Sequence, residues 1–150
     1  GVETKSNIKN FDLTSSLHLG RTYVDSSQLG LIDDINSSIY SSFDISLAKK
    51  GILNDKDYLS LEVWQPLRLE KAQMQFNLPV ARTKDRRIIF NEYLVDLTPK
   101  GRQINAQIVY ATKNDQLNVF GKVGLVNNEF HLKENKLEPY FLVDFEYYLK

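Results

Sequence analysis

The chain has no cysteine in its 150 residues, which excludes disulfides, thiolate metal sites and cysteine nucleophiles together. It has no excess of either charge: 19 lysines plus arginines stand against 19 aspartates plus glutamates, so no net field favours nucleic acid or an acidic partner. No run approaches the ~20 apolar residues of a transmembrane helix, and no signal-peptide pattern opens the chain. Gly1 is not an initiator methionine, which predicts a processed or excised segment. Imidazoles are scarce, with His18 and His131 alone. His18 stands two residues from Ser16, a spacing that suits a nucleophile and its base. Such neighbours are common on any strand face, and no oxyanion-hole glycine motif accompanies them, so the expectation is that the chain is not an enzyme.

What is present is alternation. In Phe11-Asp12-Leu13-Thr14-Ser15-Ser16-Leu17-His18-Leu19 and in Leu59-Ser60-Leu61-Glu62-Val63-Trp64, apolar and polar residues largely alternate, as they do when successive side chains point to opposite faces of a strand. Eight strands are expected, at 11–24, 38–49, 57–70, 72–81, 87–98, 102–113, 116–127 and 138–149. They exceed the usual five or six residues and match the ~9–11 needed to cross a bilayer at a tilt. Turn-formers separate them at Asn54-Asp55-Lys56-Asp57, Glu70-Lys71, Thr83-Lys84-Asp85, Pro99-Lys100-Gly101 and Lys113-Asn114-Asp115, short enough for antiparallel hairpins and so for a meander. Two longer connections, Asp25 to Ser37 and Asn128 to Lys136, fall at one end of an eight-strand sheet, the outer-membrane pattern of short turns opposite longer loops. Leu29 to Ile35 could carry a helical turn.

The apolar stripes hold almost no charge. They run through Phe11, Leu13, Leu17 and Leu19; Phe43, Ile45 and Leu47; Leu59, Leu61, Val63, Leu67 and Leu69; Ala72, Met74, Phe76, Leu78 and Val80; Ile104, Ala106, Ile108 and Tyr110; Leu117, Val119, Val123 and Leu125; and Phe141, Val143, Phe145, Tyr147 and Leu149. Opposite them stand residues such as Ser42, Asp44, Ser60, Glu62, Gln73, Gln75, Asn105, Gln107, Asn118, Lys122, Asp144 and Glu146. Amides mixed with opposed charges suit a narrow lumen, where polar groups must pair, better than a water-facing surface. Strand 87–98 departs from the pattern, with Ile88, Ile89, Phe90, Leu94 and Val95 on both faces.

Smaller signals fit a sheet. Pro66 and Pro79 cannot donate to a ladder, so each marks a bulge or a strand end. Gly121 and Gly124 could relieve crowding inside a small barrel. The stretch Arg82-Thr83-Lys84-Asp85-Arg86-Arg87 could touch phosphate, but with Asp85 inside it reads as a solvated hairpin end. Glu129, His131 and Glu134 have the residue types of a metal site and read more simply as a solvated loop. The eight tyrosines lie mostly near strand ends, as in an interfacial aromatic girdle, although cross-strand packing also favours tyrosine.

One resemblance rests on particular segments. Leu59-Ser60-Leu61-Glu62-Val63-Trp64-Gln65-Pro66-Leu67-Arg68-Leu69, then Asn77-Leu78-Pro79-Val80-Ala81-Arg82, then Asp96-Leu97-Thr98-Pro99-Lys100-Gly101-Arg102-Gln103 resemble the C-terminal barrel region of autotransporter-like, subtilisin-type serine proteases of Gram-negative bacteria. Leu17 to Asp25 and Ser41 to Lys50 resemble the two strands before it. The family usually carries further strands and a pore-threading segment ahead of this region, and its barrels commonly end on an aromatic residue, whereas this chain ends Tyr147-Tyr148-Leu149-Lys150. The resemblance implies a translocator-type outer-membrane domain, with the protease elsewhere in the parent protein.

The expected fold is therefore all-β: a single domain, 1–150, forming an antiparallel up-and-down barrel of about eight strands, or the C-terminal part of a larger translocator barrel. Strand 11–24 should pair with 138–149 to close it. The expected function is to anchor, or help export, an attached passenger from the bacterial outer membrane. Its partners would be outer-membrane lipid, the passenger (a protease, by the resemblance) and the barrel-assembly machinery, with no nucleic acid, cofactor or metal. Lipid would be met by Leu13, Leu17, Leu19, Phe43, Ile45, Leu47, Leu61, Val63, Met74, Phe76, Ile108, Val119, Val123, Phe141, Val143 and Phe145. The alternative is a soluble periplasmic or secreted barrel or sandwich that turns the same stripes inward and binds a small apolar ligand or a partner protein.

Overall fold

The structure, a computed structural model, describes residues 1–23, 32–35, 37–114, 116–134 and 136–148, and for 33–35 the backbone alone. Its regular elements are strands β1 (Val2–Ile8), β2 (Phe11–Thr22), β3 (Ile32–Ile35), β4 (Ser38–Lys50), β5 (Asp57–Lys71), β6 (Gln73–Arg82), β7 (Ile88–Asp96), β8 (Ile104–Lys113), β9 (Leu117–Asn127) and β10 (Leu137–Tyr147), with one 3-10 turn at Glu129–His131. Seven strands form one sheet in the order β1-β2-β4-β5-β8-β9-β10, and three form another in the order β3-β6-β7. The chain divides into two compact units: Gly1–His18, Ser42–Arg68 and Lys100–Lys150 in the first, Leu19–Ser41 and Leu69–Pro99 in the second.

The fold is all-β and antiparallel wherever its register is resolved, but it departs from the expected meander in three places. The first is β1, whose stripe of Val2, Thr4, Ser6 and Ile8 is apolar only at its ends and so carries little alternation. It pairs along its whole length with β2, from Val2 opposite Leu17 to Ile8 opposite Phe11. This overturns the expected closure: β2 lies between β1 and β4, so neither of its edges is free for residues 138–149. Among the described residues β1 and β10 are the edge strands of the seven-stranded sheet. The second departure is at Leu29 to Ile35, where residues 32–35 are strand, pairing with β6, while 29–31 lie outside the described residues, as do Asp115 and Leu149.

The third departure is at Glu70-Lys71, which is a corner and not a hairpin turn. The Leu97 N–H donates to the Ala72 carbonyl at 2.9 Å and the Ala72 N–H to Thr98 Oγ1 at 3.3 Å, which closes residues 72–98 into an excursion containing β6 and β7. The neighbour of β5 is consequently β8, paired from Asp57 opposite Thr112 to Trp64 opposite Asn105, and this ladder stops two residues before Pro66. At Pro79, where a bulge or a strand end was expected, the β6–β7 register shifts between Pro79 and Ala81. The proline sits in a bulge inside the strand, as its missing donor requires.

Candidate functional site

The first unit carries the candidate surface, and register alone defines it. Leu61 lies opposite Ile108, Ile108 opposite Val123 and Val123 opposite Phe141, one apolar row across β5, β8, β9 and β10. Flanking rows join Val63, Ala106, Leu125 and Pro139 on one side, and Leu59, Tyr110, Gly121 and Val143 on the other. This face is open: Leu61 is 49%, Ile108 47%, Val123 54% and Phe141 84% exposed. Val119 and Phe145 are paired farther along it. Leu17, Leu19, Ile45 and Leu47 are exposed on β2 and β4, while Leu13, Phe43, Val63 and Val119 are half-buried. Met74 and Phe76 sit elsewhere, half-buried on β6 opposite Val95 and Tyr93. Gln75, expected to line a lumen, is on that same second sheet.

The opposite face of the first unit is polar and is buried or half-buried along most of β5, β8 and β9, while Asp144 and Glu146 on β10 are exposed. Ser60 and Asn105 are buried, and the side chains bond to one another along β5 and across strands. Ser60 Oγ donates to Glu62 Oε1 at 2.8 Å, Gln107 Nε2 to Glu62 Oε2 at 2.6 Å, and Tyr140 Oη to Gln107 Oε1 at 2.7 Å. Tyr140 is on β10 and Gln107 on β8, so the phenol spans β9, and it crosses where β9 has Gly124. A Cβ there would meet Tyr140 Cζ at 2.5 Å and the Ala106 carbonyl oxygen at 2.7 Å. Lys122 Nζ lies 5.9 Å from the centroid of the same ring, and Ser16 Oγ bonds Asp44 Oδ1 between β2 and β4. A carboxylate such as Glu62 is tolerable on this face because it accepts two hydrogen bonds.

The two ends of the sheet differ. At one, the short 51–56 connection joins β4 to β5 and β8 and β9 stand three residues apart in sequence, and Tyr58, Tyr110, Tyr147 and Tyr148 collect there. Asp57, expected both to close the 54–57 turn and to open strand 57–70, is the buried first residue of β5. Its carboxylate accepts the N–H groups of Ile52 at 2.7 Å, Leu53 at 2.8 Å and Asn54 at 3.2 Å, and the Tyr110 hydroxyl at 3.1 Å. At the other end lies the longer 128–136 connection, where residues 65–68 and 101–103, from two of the segments that carry the family resemblance, meet. Arg102 donates to Gln65 Oε1, and Arg68 Nε to the Gly101 carbonyl at 3.0 Å. His131 is buried there, read in the sequence as a loop residue. Its Nδ1 accepts the Gln103 N–H at 2.9 Å, which fixes the proton on Nε2, and Nε2 lies 3.1 Å from the Leu67 carbonyl. Both ring nitrogens are thus committed to backbone. Gly101 fits because a Cβ would meet the Leu132 and His131 carbonyl oxygens at 2.5 and 2.6 Å. In the same connection the Glu138 carboxylate, 2.8 Å away, holds the Lys136 ammonium above the ordinary lysine range.

Comparison of the whole chain with protein-family models, with curated proteins and with solved structures finds no match.

Proposed function

We propose that this chain forms part of an outer-membrane β-barrel that anchors, or helps export, an attached passenger. One observation carries the reading: in the first unit the apolar row Leu61, Ile108, Val123 and Phe141 is exposed, while the polar face is buried or half-buried along most of β5, β8 and β9 and hydrogen-bonded. Water favours the reverse arrangement, since apolar surface gains ~25 cal/mol per Å² when removed from it. Hydrocarbon favours this one, because lipid accepts apolar side chains and polar groups must then satisfy each other on the lumen side. The tyrosines gathered at the short-turn end suit a headgroup girdle, and the longer connection at the far end suits the loop side of such a barrel. The resemblance of residues 59–69, 77–82 and 96–103 adds the passenger, a serine protease, and assembly by the barrel-assembly machinery. In a bilayer unpaired backbone cannot persist, so β1 and β10 would take further strands, from the parent polypeptide or another chain.

A face-resolved quenching experiment tests this. Trp64 is the single tryptophan, so in a Trp64→Phe background one tryptophan is placed at Phe141 and, separately, at Asp144 on the other face of β10. In vesicles of brominated phosphatidylcholine the Phe141→Trp emission should be strongly quenched and the Asp144→Trp emission spared. Equal emission from both, with protein remaining outside the vesicles, would favour the soluble alternative.

A further inference from the structure

The connection between β9 and β10 is strained and pinned through one ring. Asn128, Phe130 and His131 all hold left-handed backbone, with φ of 54°, 55° and 59°, a region that is costly for residues other than glycine and most so for bulky ones. Such a run persists only where its surroundings hold it. Here the Gly101 N–H donates to the His131 carbonyl at 2.8 Å, the Phe130 N–H to Gln103 Oε1 at 2.8 Å, and the Gln103 N–H to His131 Nδ1 at 2.9 Å. Of these groups only the imidazole titrates. It also reaches β5. The β5–β8 ladder ends at Trp64 opposite Asn105, two residues short of Pro66. Beyond that point the ring bridges the Gln103 N–H to the Leu67 carbonyl, which lies 3.1 Å from Nε2.

We propose that His131 is a pH-sensitive latch: neutral, it holds the β9–β10 connection on β5 and residues 101–103, and protonated, it releases it. The bridge needs one acceptor and one donor, which a neutral imidazole with its proton on Nε2 supplies. An imidazolium is a donor at both nitrogens, so its Nδ1–H would meet the Gln103 N–H head on in a buried site and leave both without an acceptor. The cations around the ring oppose a further charge. From β5 comes Arg68, whose Nε donates to the Gly101 carbonyl, and from the segment before β8 comes Arg102, which donates to Gln65 Oε1. Lys100 of that segment and Lys133 of the connection are exposed. The carboxylates of this region, Glu129, Glu134 and Glu138, all favour the Lys136 ammonium. Once released, the connection can leave its left-handed conformations, so strain and proton act in the same direction. The device does not depend on which face of the sheet meets lipid.

Amide hydrogen exchange on the full chain in maltoside micelles tests the latch, because the Gln103 N–H is given to the ring. A free imidazole takes up its proton near about pH 6.5. With only the released ring protonated, the protection factor of the Gln103 amide should fall by about thirtyfold from pH 8 to pH 5. His131→Asn sets an oxygen that does not titrate where Nδ1 stands, and asparagine tolerates left-handed backbone, so its protection should be equal at the two pH values. His18→Gln, at the other imidazole of the chain, should behave as wild type. Ring nitrogen shifts of wild-type His131 should show the Nε2–H tautomer at pH 8 and imidazolium growing in as protection falls. Level protection in wild type would overturn the proposal. So would a fall as steep in His131→Asn as in wild type, its loss in His18→Gln, or a His131 ring that stays neutral while protection falls.

Discussion

Tyr140 reaches Gln107 across an intervening strand because Gly124 leaves room for the ring, and the two glycines of β9 differ for the same reason. An added Cβ at Gly124 would press on the backbone oxygen of Ala106 as well as the ring, so turning Tyr140 away cannot relieve it. At Gly121 the nearest atom to such a Cβ is the Leu142 carbonyl oxygen at 4.0 Å. Gly124→Ala should therefore cost about 1–3 kcal/mol through overpacking. Gly121→Ala should be neutral or gain up to ~1 kcal/mol, because glycine in a strand interior loses more conformational freedom than alanine. Denaturant unfolding of both variants in one micelle checks the contrast. The sequence suggests both glycines as points of relieved crowding, and only Gly124 acts so, because its relevance depends on Tyr140 standing opposite it in register. His131 was less legible still. Nothing in Asn128 to Lys136 marks an imidazole whose two nitrogens are held by the backbone of residues 103 and 67, far away in sequence.

At the level of elements, period-two patterning revealed β2, β4, β5, β6, β8, β9 and β10 because each keeps an apolar stripe. It passed over β1, where Thr4 and Ser6 occupy the stripe, and β3, which is four residues long. It could not say that β5 pairs with β8. That choice is made by the Leu97 N–H donating to the Ala72 carbonyl and the Ala72 N–H donating to Thr98 Oγ1, which depend on a loop closure rather than on any local pattern. The family-like segments were visible one at a time, but the meeting of Gln65 with Arg102 and of Arg68 with Gly101 emerges only once β6 and β7 are taken out of the first sheet. Face assignment is where these strands can be tested. Val123→Arg puts a charge in the exposed apolar row, and under the membrane reading it should cost on the order of 2–4 kcal/mol of folding into a bilayer near the midplane. Asp144→Arg puts the same side chain on the opposite face and should cost less than ~1 kcal/mol. Reversible folding into thin-bilayer vesicles, titrated with urea, measures both. Equal costs would mean that the two faces meet the same environment.

Taken as a whole molecule, the chain has an inverted interior. Among its described residues the buried apolar side chains are Ala72 and Val109, whereas Ser38, Ser41, Asp57, Ser60, Gln65, Asn105 and His131 are buried and polar. Ordering a backbone costs about 1–2 kcal/mol per residue, and in water the principal opposing term is removal of apolar surface. A chain that leaves Phe141, Phe145, Val143 and Leu61 exposed has given up much of that term. Equal numbers of basic and acidic residues leave no net repulsion to keep such surfaces apart. Diluted from urea into detergent-free buffer at micromolar concentration, the protein should therefore associate through this face into polydisperse material. Diluted into maltoside micelles, it should give a sharp β spectrum, a cooperative unfolding transition and one sedimenting species. A monodisperse chain that unfolds cooperatively in buffer alone would mean that the exposed stripes find cover without lipid, and the membrane reading would give way to a soluble sheet.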